Sequence, residues 1–192
     1  MLDPVHILPG HNTVSLNALV GLAEEPERYR WLRANVPPSG QIGYTHFWWI
    51  VDEGTYDRFM TEERRLVPGP EASALCPGDL QSYPAGARIP LSLDEPPGRT
   101  RAFVVCLSVR KQTDMALKAD AGVIRFGPYR AGPTCASAKI AERQESWYRL
   151  EPGLHAFCVE EIPNRRARFP YRFEGAWRLR GHGARFGLHE RP

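Results

Sequence analysis

The sequence predicts a mainly β protein, an antiparallel β-sandwich or jelly roll with one or two short helices in its N-terminal third. Three observations predict it. Helical periodicity is confined to the residues before Pro68. From about residue 87 onward the chain breaks into short extended runs rich in apolar and β-branched residues. Those runs are separated by Gly/Pro turn signals at the spacing of a two-sheet protein. A chain of 192 residues with 42% hydrophobic residues can bury a sizeable core, and one domain over 1–192 is the expectation. There is no internal repeat or low-complexity tract, and the Pro/Gly-rich stretch from Pro68 to Gly86 reads as connection within one body.

Taken in order, Pro26 to Asn35 (PERYRWLRAN) is a short helix, with proline at its start and PPSG as its stop. Tyr44 to Val51 (YTHFWWIV) is aromatic and β-branched on both faces and reads as a strand. Thr55 to Leu66 places Tyr56, Phe59, Met60 and Leu66 near one helical face with the charges opposite, and Pro68 and Pro70 end it. Arg88 to Leu93 and Arg101 to Val109 flank DEPPGRT and are expected to pair as a hairpin. Ser146 to Leu150 and Leu154 to Ile162 flank Glu151-Pro152-Gly153 in the same way. Val123 to Phe126, Cys135 to Ala141, Phe169 to Phe173 and Ala176 to Arg180 complete eight to nine expected strands, enough for a sandwich.

The chemistry of the chain excludes more than it suggests. A formal net charge of +3 is too small for the whole chain to act as a nucleic-acid coat. Lysine occurs only at Lys111, Lys118 and Lys139, so anion contacts would be made by arginine forks. The four cysteines, Cys76, Cys106, Cys135 and Cys158, show no CxxC pairing. Cys106 and Cys158 lie in apolar runs and read as unpaired, buried small hydrophobes. The N-terminus MLDPVHILPGHN lacks the basic start and unbroken apolar core of a signal peptide, which points to a reduced, cytoplasmic protein. No apolar run reaches the roughly 20 residues that span a bilayer.

The histidines, His6, His11, His46, His155, His182 and His189, contain no HxH pair of the kind a β-barrel metal site uses. There is no GxSxG elbow, no phosphate-binding loop and no dinucleotide fingerprint, so no cofactor is expected. The glycines of Gly181-His182-Gly183-Ala184-Arg185-Phe186-Gly187 read as a flexible or turn-rich C-terminal segment. All five tryptophans are expected in the core.

The feature that departs from the average is the stretch from Arg165 to Pro192, with eight arginines against Glu174 and Glu190. Arg165, Arg166, Arg168, Arg172, Trp177, Arg178 and Arg180 form the candidate partner- or polyanion-binding set, mixing arginine forks with stacking faces. The plainer reading is a terminal hairpin with aromatics inward and arginines in water. The leading expectation is a non-catalytic binding or structural module acting through a protein partner or through self-association. An RNA or single-stranded nucleic-acid binder and a metal-dependent enzyme on a β-barrel stand as alternatives.

Overall fold

The computed structural model describes residues 7–22, 26–76, 78–94, 102–121, 123–129, 139–142, 145–161 and 172–190. The chain divides into two compact units, Met1–Arg65 and Leu66–Pro192.

The first unit contains strand β1 (Gly10–Ser15), helix α1 (Leu16–Leu19), a 3-10 turn over Pro26–Tyr29 leading into α2 (Arg30–Asn35), strands β2 (Gly40–Ile42) and β3 (His46–Val51), and helix α3 (Glu53–Glu63). The proline start expected at Pro26 makes that 3-10 turn. Ser15 starts α1, its Oγ accepting from the Ala18 amide. Asp52 starts α3 earlier than the apolar periodicity implies, its carboxylate accepting from the Thr55 amide at 2.6 Å. Helix α3 buries Tyr56, Phe59 and Met60, as its spacing predicts. The strands form an antiparallel sheet in the order β1-β3-β2. The run that begins at Tyr44 pairs only from His46, because Gly43, at φ +58°, turns the chain and leaves Tyr44 at the hairpin tip.

The second unit is an antiparallel β-sandwich. Its strands are β5 (Gln81–Tyr83), β6 (Arg88–Asp94), β7 (Ala102–Val109), β8 (Thr113–Ala121), β9 (Val123–Pro128), β10 (Lys139–Glu142), β11 (Glu145–Leu150), β12 (Gly153–Glu161), β13 (Arg172–Arg180) and β14 (Ala184–Glu190). One sheet runs β10-β9-β12-β7-β14-β5 and the other β4-β11-β8-β13-β6, where β4 (Arg65–Leu66) lies at the passage between the units. The pairings nest. Strand β9 pairs with β10, β8 with β11, β7 with β12 and β6 with β13, so eight consecutive strands behave as one long antiparallel ribbon rolled up on itself. That is the wiring of a jelly roll.

Both expected hairpins are corrected by this wiring. Strands β6 and β7 lie in different sheets, and so do β11 and β12. The Glu151-Pro152-Gly153 turn is therefore an arch between sheets. Three more arches lie beside it, because β12-β7-β14-β5 in one sheet stand in the same order as β11-β8-β13-β6 in the other. Residues 84–87, 181–183, 110–112 and 151–152 thus form a row of four connections at one end of the sandwich. The terminal hairpin expected of the arginine-rich stretch is corrected too: residues 169–171 lie outside the described ones, and Phe173 and Ala176 to Arg180, expected on two strands, belong to the single strand β13, which pairs with β6 and β8. Nor is the C-terminal glycine segment a mere turn: Gly181 turns the chain at φ +97°, and Ala184–Glu190 is a strand.

Alternation fills the space between the sheets. Phe103, Val105, Leu107 and Val109 of β7, Phe157 and Val159 of β12, Met115 and Leu117 of β8, and Trp177 and Leu179 of β13 all belong to one buried cluster. Trp177 sits at its centre, 0% exposed, with ring centroids 4.8 Å from Phe126 and 6.0 Å from Phe186.

Cysteine is the second correction. Cys106 points away from this core and is bonded to Cys76, which follows helix α4 (Glu71–Leu75), a helix packed on β7 and β12. Cys158 is also disulfide-bonded, and no described cysteine is free. An apolar strand environment shows that a cysteine is buried, and a second sulfur arriving from another segment satisfies that burial as well as a methyl would.

Candidate functional site

The arginine-rich set does not stay together. Arg165, Arg166 and Arg168 lie outside the described residues. Arg172 opens β13 opposite Asp94. Along β13 a period of two sends Trp177 and Leu179 into the core and Arg178 and Arg180 out of it. Trp177 is thereby removed from any contact surface. The guanidinium of Arg180 lies 4.6 Å over the ring of Trp147, and Arg149 forks onto Asp114 at 2.9 and 3.2 Å. Arg178 stands half-exposed, opposite Arg88 of β6.

The described histidines do not converge. His11 and His46 share one face of the N-terminal sheet, but His46 pairs with Ser15, four positions along β1 from His11, which separates them by ~13 Å at the usual rise per residue. His155 and His189 lie on opposite faces of the larger sandwich sheet, His155 opposite Leu107 and His189 opposite Val104. Among the described residues no three His, Cys, Asp or Glu side chains group as metal ligands.

A pocket of about 80 Å³ opens beside His155, with Leu66, Glu71, Tyr129 and Phe157 in its wall. It is far smaller than the several hundred Å³ of a ligand cleft. Burial holds the His155 imidazole below its ordinary pKa, while its Nε2–H donates to the Glu151 carbonyl at 2.7 Å. The ring is a neutral tie between β12 and the arch before it.

The N-terminal sheet presents a different surface. Trp49 and Val51 are buried, and Trp49 Nε1 donates to the Val36 carbonyl at 3.1 Å. The alternate positions, His46, Trp48 and Ile50, face the other way. Register places Ile42 beside His46, Thr13 beside Trp48 and His11 beside Ile50 on that same face. The Trp48 ring stacks with His11 at 5.7 Å and lies over Gly40, where any Cβ would overlap the indole. Ile42 and Ile50 are more than half exposed, and Tyr44 at the adjoining tip is 92% exposed. Four of the five tryptophans are buried as the sequence predicts; Trp48 is the exception. The alternation within HFWWIV carried the signal, since adjacent tryptophans on a strand must face opposite ways.

Against known proteins, the chain matches no protein-family model, no curated protein and no solved structure.

Proposed function

We propose that this protein is a non-catalytic binding module that engages a protein partner, or a second copy of itself, through the open face of the N-terminal sheet. The observation that supports this is the exposed Ile42 and Ile50 on the sheet and Tyr44 at its hairpin tip, grouped around the half-buried ring of Trp48. An aromatic anchor ringed by aliphatic and small polar groups is the composition of an interface hot spot. The sheet face projects only ~250 Å², which suits the centre of an interface rather than the ~800 Å² that each partner of a stable complex contributes. The disulfides favour an oxidising compartment.

Two other readings lose support. Trp177 and Phe186 are buried in the core and are withdrawn from any base-stacking platform for single-stranded nucleic acid. The sandwich interior is filled by Trp177, Phe126 and Phe157, in the space where a barrel enzyme would hold its substrate.

Sedimentation equilibrium over a concentration series tests the proposal, comparing wild type with an Ile42→Lys/Ile50→Lys variant. Self-association that the variant loses supports the face as the contact. Where wild type stays monomeric, partners cross-linked through a photoreactive group at Tyr44 and lost in the same variant support it equally. No difference between wild type and variant in either experiment overturns it.

A further inference from the structure

The row of arches at one end of the sandwich collects charge that the sequence scatters. Arg110 and Lys111 form the β7–β8 arch and are exposed. Arg180 and Arg185 flank the β13–β14 arch, and exposed His182 sits in it. Arg88 is the first residue after the β5–β6 arch, with Arg178 beside it across the sheet. Register fixes the neighbourhood, because Arg180 pairs with Asp114 and Arg185 with Ser108, the residues that bracket Arg110 and Lys111. Arg185 Nη2 donates to Ser108 Oγ at 3.3 Å. Of the acids carried by the same segments, Asp114 is forked by Arg149, and Glu151 accepts from Gln112 at 3.0 Å in the fourth arch. Basic side chains therefore stand in the β7–β8 arch and on the strand ends that flank the two arches beside it, spanning ~10 Å from strand to strand and about the same between sheets.

We infer that this end of the sandwich binds a linear sulfated polysaccharide. The site is separate from the N-terminal sheet face and does not depend on it. Strand parity carries the basic side chains from the outer face of one sheet, Arg88, Arg178 and Arg180, over the exposed Arg110 and Lys111 at the end to Arg185 on the outer face of the other. A linear chain laid across that end meets them in succession, and arginine forks bind its sulfate oxygens in bidentate fashion. Nucleic acid fits less well. The nearby rings cannot stack on bases, since Trp177 and Phe186 are buried and Arg180 covers Trp147. The disulfides also point to the oxidising side of a membrane, where sulfated glycans are the common polyanions.

The experiment measures binding of fluorescent heparin oligosaccharide, oligo(dT) and polyglutamate to the full chain across a sodium chloride series. An Arg110→Gln/Lys111→Gln/Arg185→Gln variant is compared with a control of equal charge change, Arg30→Gln/Arg33→Gln/Arg58→Gln. An Arg110→Glu/Lys111→Glu variant, confined to one exposed arch, guards against misfolding of the triple variant, and thermal midpoints are recorded for all. The expected result is heparin binding that weakens about tenfold or more in both arch variants at ~0.1 M salt, with the log–log salt slope of the triple variant reduced by about 2, and near wild-type binding by the control. Arch variants that bind heparin like wild type overturn the inference. So do a control that loses as much, oligo(dT) or polyglutamate binding as tightly as heparin, or a wild type that does not bind heparin at low salt.

Discussion

The two sheets of the sandwich and the sheet of the N-terminal unit are built by the same alternation, yet they treat their faces differently. In the sandwich, each sheet turns most of its large side chains toward the other, and the one outward tryptophan of the described strands, Trp147, is covered by Arg180. In the N-terminal sheet, Trp49 is buried while its neighbour Trp48 occupies an outward position of the kind that holds Arg178 or Arg180 on β13. The difference separates side chains that fill a core from side chains that a sheet leaves at its surface. Trp177 is enclosed on every side by the core, whereas Trp48 is covered only on the side of His11 and Gly40 and Ile50 stands in water.

That contrast can be broken by substitution. The largest effect is expected for Trp177→Ala, which opens a cavity between Phe126, Phe157 and Phe186 and should cost about 3–5 kcal/mol in chemical denaturation. Removing the Cys76–Cys106 bridge as Cys76→Ala/Cys106→Ala frees a loop with a sequence separation of 30 and should cost about 3–4 kcal/mol. Within the N-terminal sheet the two tryptophans should separate cleanly: Trp49→Ala costs about 3 kcal/mol and Trp48→Ala about 1 kcal/mol or less, read from denaturation followed by the fluorescence of the remaining tryptophans. Equal losses would mean that the outer face is structural after all. The smallest effect concerns pH. His155 is held below its ordinary value of 6.5 by burial, so below about that pH the unfolded chain binds a proton that the folded chain resists. Stability should fall as pH drops through this range, and His155→Gln should flatten that part of the curve.

The mainly β class, both longer helices and the alternation that turns Trp177 inward and Arg178 and Arg180 outward were legible from period and composition. The pairing was not. A Pro/Gly turn such as Glu151-Pro152-Gly153 reports that the chain reverses, but an arch between sheets and a hairpin within one use the same residues. The strand Thr113–Ala121 is not legible in the sequence because Lys118 and Asp114 interrupt its apolar run, although both simply face outward on β8. The final strand was hidden by Gly187, whose missing side chain makes room for Leu80 and His189. The arginines suffered the converse problem. They looked like one feature because they are close in sequence, whereas the fold sends Trp177 inward and brings Arg110 and Lys111, from far earlier in the chain, beside Arg180 and Arg185.

The nested pairing of the sandwich carries a kinetic consequence. Phe126 meets Lys139, close by in sequence, Lys118 then meets Glu145, Val104 meets Cys158, and Ile89 meets Trp177 only across most of the unit. Closing each outer pair is entropically cheap once the inner one exists and expensive without it. Such a chain closes like a zipper from β9 and β10 toward its ends, slowly because most contacts are distant in sequence. The ring cluster around Trp177, which depends on the outermost pair, is then the last part of the sandwich to form.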